Sequence, residues 1–214
     1  MYNKSYIFWL YKVNKILVLS EVRKMIKSLY TKFQPWSDGG SIWILSDTHF
    51  EDSDCVLMDE EWISPQKQVD IINYKVMKCD TFIHLGDVGN PEWINKIKAH
   101  HKILIMGNHD QSIKRFEPYF DEIFQGALFI GEKILLSHEP IYGLSWCLNI
   151  HGHNHSVRYP TILDGRTHIN LAANVCNYIP VNLGKLIKDG YLSEIDSIHR
   201  QIIDLATLKK NIKR

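Results

Sequence analysis

Five times along this chain a short apolar run ends in a polar motif carrying residues that can ligate a metal. Ser41–Ser46 delivers Asp47-Thr48-His49, Thr81–Leu85 delivers Gly86-Asp87-Val88, and Lys102–Met106 delivers Gly107-Asn108-His109-Asp110. Lys133–Leu136 ends in Ser137-His138-Glu139-Pro140, and Cys147–Ile150 leads into His151-Gly152-His153-Asn154-His155. Short apolar runs bounded by turn residues read as buried strands. Between the first three lie a helical pattern over 65–78, with Val69, Ile72 and Val76 on one face, and a second over Pro91 to Ala99 with proline near its first turn. Strand, helix, strand, helix, strand at this spacing predicts a βαβαβ core of largely parallel strands with right-handed crossovers. In such sheets ligands bind outside the carboxyl ends of the strands. Asp47, Asp87, Asn108 and the later histidines are therefore expected to converge on one edge. A single Asp after a strand reads as a cap or turn former; five motifs in this order do not.

The histidine triplet is the densest of the five. Neutral imidazole is the commonest protein metal ligand, and Gly152 is expected to turn the backbone tightly enough for His153 and His155 to aim at nearly the same point.

Composition excludes several classes. A chain of 214 residues, 45% hydrophobic and 23% charged, reads as one soluble domain with a sizeable core. Cys55, Cys79, Cys147 and Cys176 are widely spaced without a Cys-x-x-Cys pair, which argues against a thiolate zinc site or a disulfide framework and fits a reducing cytoplasm. No apolar run approaches the roughly 18 to 20 residues that a spanning helix needs. Residues 1–40 hold seven Lys/Arg against Glu21 and Asp38, leaving 18 basic and 22 acidic residues in the remainder. A body with that balance lacks the basic footprint of long nucleic-acid binding, which rests on counterion release at Lys and Arg.

Residues 1–40 read as an N-terminal extension. Met25 offers a second start, and Lys12, Asn14 and Lys15 interrupt what would otherwise be a signal-peptide core. Further along, Leu128–Ile130 and Lys133–Leu136 read as a hairpin, as do Thr161–Leu163 and Thr167–Leu171 around Asp164-Gly165. A helix is expected over Leu192–Leu208, ending the domain at 41–208, with a basic tail over 209–214.

Taken together, Asp47-x-His49, Gly86-Asp87, Gly107-Asn108-His109-Asp110, His138 and Gly152-His153-x-His155 resemble the five-block signature of calcineurin-like metallophosphoesterases, over roughly Ser41 to Ile203. The Ser46-Asp47-Thr48-His49-Phe50 opening and the short spacing are similar to the small single-domain phage and bacterial members. The resemblance implies a four-layer α/β/β/α sandwich, two mixed sheets flanked by helices. It also implies a dinuclear site: one ion on Asp47, His49, Asp87 and His155, the other on Asp87, Asn108, His138 and His153, with Asp87 bridging. Two ions about 3.5 to 4 Å apart can share a carboxylate and a hydroxide nucleophile and stabilise an in-line displacement at phosphorus. An all-nitrogen-and-oxygen donor set rich in imidazole favours manganese, with iron, zinc or nickel as alternatives, over copper(I), calcium or magnesium. His109 is implied to donate a proton to the leaving group, with Asp110 orienting its ring or capping a helix.

The remaining residues read more plainly. His84 and His151 are expected to support the site from within the core, His100 and His101 to close a helix and face solvent, and His168 and His199 have no motif context. Glu51, Asp52, Asp54, Asp59, Glu60 and Glu61 form an acidic loop that reads as solvated. Lys114 and Arg115 could contact a second phosphate. Trp62, Trp93, Tyr119, Tyr142 and Trp146 read mainly as packing. The expected partner is a small phosphoester such as a nucleotide. Two rival readings are a β-lactamase-like zinc hydrolase, which needs His-x-His-x-Asp-His where this chain has His151-x-His153-x-His155, and a binding scaffold on the same fold without turnover.

Overall fold

The apolar runs are strands, and two sheets collect them. A computed structural model describes residues 40–156, 168–196 and 198–212. In chain order its elements are β1 (Ile42–Leu45), α1 (Cys55–Met58), α2 (Pro65–Lys75), β2 (Thr81–His84), a 3₁₀ segment (Pro91–Lys96), β3 (His101–Ile105), α3 (Ile113–Phe116), β4 (Glu122–Phe124), β5 (Leu128–Ile130), β6 (Ile134–Leu136), β7 (Leu148–His151), β8 (His168–Asn170), β9 (Val181–Asn182), α4 (Leu183–Lys188) and α5 (Ile198–Ile212). The first sheet runs β4-β3-β2-β1-β9, with β1 to β4 parallel and β9 antiparallel on the edge. The second runs β5-β6-β7-β8: the expected hairpin, then parallel strands. The fold is thus α/β, two mixed sheets flanked by helices.

Burial explains the runs. Every residue of β2 is buried, as a parallel strand covered on both faces requires, and one apolar cluster joins Ile44, Ile83 and Leu104 of the first sheet to Leu136, Ile150 and Ile169 of the second. At their carboxyl ends the sheets are laced by main-chain bonds: Ser46 N–H donates to Leu171 O at 2.9 Å, Asp47 N–H to Gly86 O at 2.9 Å, and Gly152 N–H to His138 O at 2.9 Å. The loops that follow β1, β2, β6, β7 and β8 are held in register there.

Several expectations need correction. The second helix is a 3₁₀ segment that stops at Lys96, because the Asn73 side chain donates to Lys96 O and accepts from Lys98 N–H, taking the groups that would extend it. His101 does not close a helix facing solvent; it opens β3 with its ring 3.0 Å from Glu122 and 3.6 Å from Asp121. The last helix begins at Ile198, not Leu192, since Ser193 N–H donates to Gly190 O and Ile195 N–H to Leu192 O in successive turns. It runs on to Ile212. β4, β9 and α4 were not foreseen. Residues 1–39 of the N-terminal extension, the first arm and turn of the 161–171 hairpin, and residues 213–214 lie outside the described residues, while β8 pairs with β7 in parallel. No cysteine forms a disulfide, and no helix among the described residues is long and apolar enough to cross a membrane.

Candidate metal centre

The loops at the carboxyl ends of β1, β2, β3, β6 and β7 bring the sequence motifs together, and they do so at a cost in backbone conformation. Asp47 (φ 55°), His49 (φ 40°), Asp87 (φ 55°) and His153 (φ 67°) all adopt the left-handed region. For residues with a Cβ this conformation costs on the order of 1 to 3 kcal/mol each, and it clusters at functional sites. Gly152 is required for another reason: a Cβ there would lie 2.1 Å from both Asp47 Oδ2 and Ser46 Oγ. The glycine's role is close approach, and the turn itself is made at His153.

Both carboxylates are held by main-chain donors. His153 N–H donates to Asp47 Oδ2 and His109 N–H to Asp87 Oδ1, each at 2.9 Å. Each therefore turns its other oxygen toward imidazoles. Asp47 Oδ1 is 3.5 Å from His155 Nε2, and Asp87 Oδ2 is 3.2 Å from His138 Nε2 and 3.8 Å from His49 Nε2. Asp47, His49 and His155 form one group of potential ligands, and Asp87, His138 and His153 form another. Asn108 joins the second, its Oδ1 2.8 Å from His138 Nε2. His153 and His155 do not aim at one point but serve adjacent groups.

Behind the ring nitrogens stand acceptors that fix their tautomers. His49 Nδ1 faces Asp52 Oδ2 at 3.2 Å, His138 Nδ1 faces Leu85 O at 2.9 Å, and His155 Nδ1 faces Asn174 Oδ1 at 3.0 Å. A proton on Nδ1 leaves the Nε2 lone pair directed into the site, as in metal-binding imidazoles. The residues fit a cation on a further observation: Asp47 Oδ1 and His49 Nε2 are buried and have no hydrogen-bond partner. Orphaned buried acceptors are rare and need a reason.

The electrostatics agree. Burial raises the Asp87 carboxyl, but the His138 hydrogen bond and charge, the His109 N–H and His49 outweigh it and bring the pKa down to about 2. Burial lowers His138, but the Asp87 hydrogen bond and the Asp47 and Asp87 charges carry it up to about 9. The site stabilises positive charge. A third cluster, His49, Asp52 and Cys55, borrows His49 from the first; burial, then Asp52 and Asp54, push the Cys55 thiol up to about 12, so no thiolate is on offer.

Two of the other histidines, His84 and His151, lie in the core as expected. His84 is buried against Thr48 Oγ1 (3.0 Å) and Gly86 N–H (3.1 Å), and burial drives its pKa down to about 3. His151 is buried beside His168, ring centroids 5.6 Å apart, and its pKa falls to about 4, burial being the main cause. His109 is exposed, its ring 5.6 Å from that of His49. Asp110 does something different from what was expected. Its carboxylate accepts from Asp87 N–H (2.8 Å), Gly107 N–H (2.9 Å) and Val88 N–H (3.1 Å), not from the His109 ring, and the cap of α3 is Ser112. It clamps the Asp87 loop to the Asn108 loop, and burial raises its pKa against those three donors.

Two supports were missed. Asn174 orients His155 and donates to Asp59 Oδ2 at 3.1 Å; its signal was the short apolar stretch Leu171-Ala172-Ala173 ending in an amide. Asp52 was read as part of a solvated loop, yet it is half-buried against His49. Trp62 closes the same wall, 6.0 Å from His49 and 5.8 Å from His155.

Comparison with known proteins agrees with this geometry. A protein of Methanocaldococcus jannaschii, itself uncharacterized, is 31% identical over 189 residues, spanning 77% of this chain and 97% of that one. The crystal structure of a protein of unknown function from Aquifex aeolicus superposes with a TM-score of 0.55 at 25% identity, covering 69% of this chain and 98% of that one. Residues 41–195 match the model of the calcineurin-like phosphoesterase superfamily domain, and by that match the chain belongs to the calcineurin-like phosphoesterase superfamily.

Proposed function

We propose that the protein is a hydrolase that binds two divalent transition-metal ions, manganese first among them, and cleaves a phosphomonoester or phosphodiester of a small molecule. One observation carries the reading: Asp87 Oδ2 faces imidazoles of both ligand groups, 3.2 Å from His138 and 3.8 Å from His49, as a carboxylate shared by two cations must. Asp47, His49, Asp87 and His155 would hold one ion, and Asp87, Asn108, His138 and His153 the other. Ions bound there supply Lewis acidity to the phosphoryl oxygens and lower the pKa of water toward neutrality.

The chain's own residues do the rest. Main-chain donors hold one oxygen of Asp47 and one of Asp87, which fixes the direction in which the other oxygen of each faces the site. His109 is anchored through its backbone to Asp87, which leaves its ring free to give a proton to the departing oxygen as the P–O bond breaks. Asp110 keeps the Asp87 and Asn108 loops in register.

The test is elemental analysis of the full chain after reconstitution with Mn²⁺, together with turnover of p-nitrophenyl phosphate and bis(p-nitrophenyl) phosphate. The expected result is close to two ions per chain and turnover of at least one ester. A ratio near zero would overturn the reading. Full occupancy without turnover of any phosphoester in a broad panel would leave a binding scaffold.

A further inference from the structure

We propose that Arg115 is the specificity residue of a leaving-group subsite, and that the substrate is a small phosphoester whose leaving group carries one further anionic group. The inference rests on the proposed role of His109. A general acid must lie within hydrogen-bond reach of the oxygen it protonates, so the leaving group sits on the His109 side of the centre. On that side is a cavity of about 570 Å³ lined by His49, His109, Arg115, Glu51, Asp52 and Asn90, among others. Its size is that of a small-ligand pocket. Trp62 and His155, whose rings also lie beside His49, take no part in the lining.

The charges within this cavity are unequally engaged. Both oxygens of Glu51 already accept a hydrogen bond, Oε2 from Asn90 Nδ2 at 2.6 Å and Oε1 from Trp93 Nε1 at 2.9 Å. Asp52 faces His49 Nδ1 and accepts from Asp54 N–H at 3.0 Å. Among the described residues the Arg115 guanidinium makes one hydrogen bond, from Nη2 to Gly89 O at 3.1 Å, and no carboxylate pairs with it. Most of its five N–H donors therefore remain for a ligand. Its anchor is fixed in turn: Gly89 has φ +80°, and a Cβ there would lie 2.3 Å from Phe50 N. A guanidinium tethered to a rigid carbonyl at the mouth of a cavity is suited to a planar or tetrahedral oxyanion. Glu51 and Asp52 on the same wall set the upper bound, because a polyanion would meet them.

A carboxylate and a phosphate share this chemistry, and substrate pairs separate them. The experiment is calorimetric titration of the Mn²⁺-loaded full chain with glycerol 3-phosphate, 3-phosphoglycerate and 1,3-propanediol bisphosphate. It is run on wild type, Arg115→Ala and Arg115→Lys, with the melting temperature of each recorded. In wild type the second anion is expected to tighten binding about 10- to 100-fold over glycerol 3-phosphate, the worth of one charge-assisted contact. Whichever of the two anions gives the larger gain identifies the group. In Arg115→Ala that ratio should fall toward one, and Arg115→Lys should keep part of it. The proposal is overturned if the second anion gives no gain in wild type, or if Arg115→Ala weakens all three ligands equally. Failure of the broader phosphoesterase reading would show separately, as absent turnover of the p-nitrophenyl esters.

Discussion

The two halves of the centre use the same donor types and stand in opposite states. In the Asp87 half, His138 Nε2 lies 2.8 Å from Asn108 Oδ1, 3.2 Å from Asp87 Oδ2 and 3.2 Å from His153 Nδ1, a closed network around one imidazole. In the Asp47 half, Asp47 Oδ1 and His49 Nε2 have no partner, and the nearest opposing groups stand at 3.5 and 3.8 Å. A buried polar group left unsatisfied costs about 1 to 3 kcal/mol, so the Asp47 half is held open against its own preference. The difference teaches what the centre is for. In the Asp87 half a proton on His138 can stand in for a cation and the ligands close around it; in the Asp47 half the donors stand apart, at the spacing a cation between them would need.

The largest effect is expected at Asp87, whose Oδ2 faces imidazoles of both halves. Asp87→Asn is expected to lose both ions and to bring turnover to background, whereas Asp47→Asn should lose about one ion per chain and keep the other. Elemental analysis after Mn²⁺ reconstitution reads this directly. Equal losses in the two variants would break the division into halves.

His109 lies outside both halves, and its variant separates binding from chemistry. Its link to Asp87 is a backbone N–H, which His109→Gln retains, so both ions should stay while turnover falls about 10²- to 10⁴-fold, the usual contribution of a positioned acid. An alkyl leaving group needs the proton more than p-nitrophenolate does. The deficit should therefore be larger for alkyl esters, and an equal deficit for both would remove the proton-donor role.

How much of this was legible follows from what each feature depends on. The strands that deliver the five motifs are local, written in apolar runs that end in Asp, Asn or His, and the structure puts those motifs from Asp47 to His155 at the strand ends the runs indicate. The converging edge followed from topology alone. The left-handed conformations of Asp47, His49, Asp87 and His153 had no sequence signal, because they arise from loops held by partners far along the chain. Asp110 was misread for the same reason: its three donors include Asp87 and Val88, more than 20 residues away. Asn174 and Asp52 look like ordinary loop polar residues until the imidazoles they orient are in place. The pattern over Pro91 to Ala99 carries no sign that it closes as a 3₁₀ segment, because Asn73, which ends it, belongs to a different helix.

A smaller effect is expected behind the Asp47 half. Asn174 accepts from His155 Nδ1 and is tied to Asp59, and removing such a support typically lowers metal affinity about 10- to 100-fold. Asn174→Ala should weaken one Mn²⁺ site of the loaded protein in a competition titration with a chelator, and leave the other unchanged. If both sites weakened together, the halves would be coupled more tightly than their separate supports indicate.

The smallest effect tests whether a proton does hold the Asp87 half closed. The His138 pKa is raised from 6.5 to about 9 in the metal-free fold, so the folded chain keeps a proton that the unfolded chain releases. The stabilisation this gives is fully present below about pH 6.5 and is lost as the pH rises through about 9. Metal-free protein should therefore melt a few degrees lower at pH 9.5 than at pH 6.5, since about 1 kcal/mol moves the Tm of a domain this size by roughly 2 to 4 °C. His138→Gln should remove that component of the slope. With Mn²⁺ present the sign reverses for binding, because the ligand must be deprotonated: affinity at this half should rise over the same pH window. A metal-free slope that persists unchanged in His138→Gln would show that the network closes without the proton, and that both halves are equally ready for a cation.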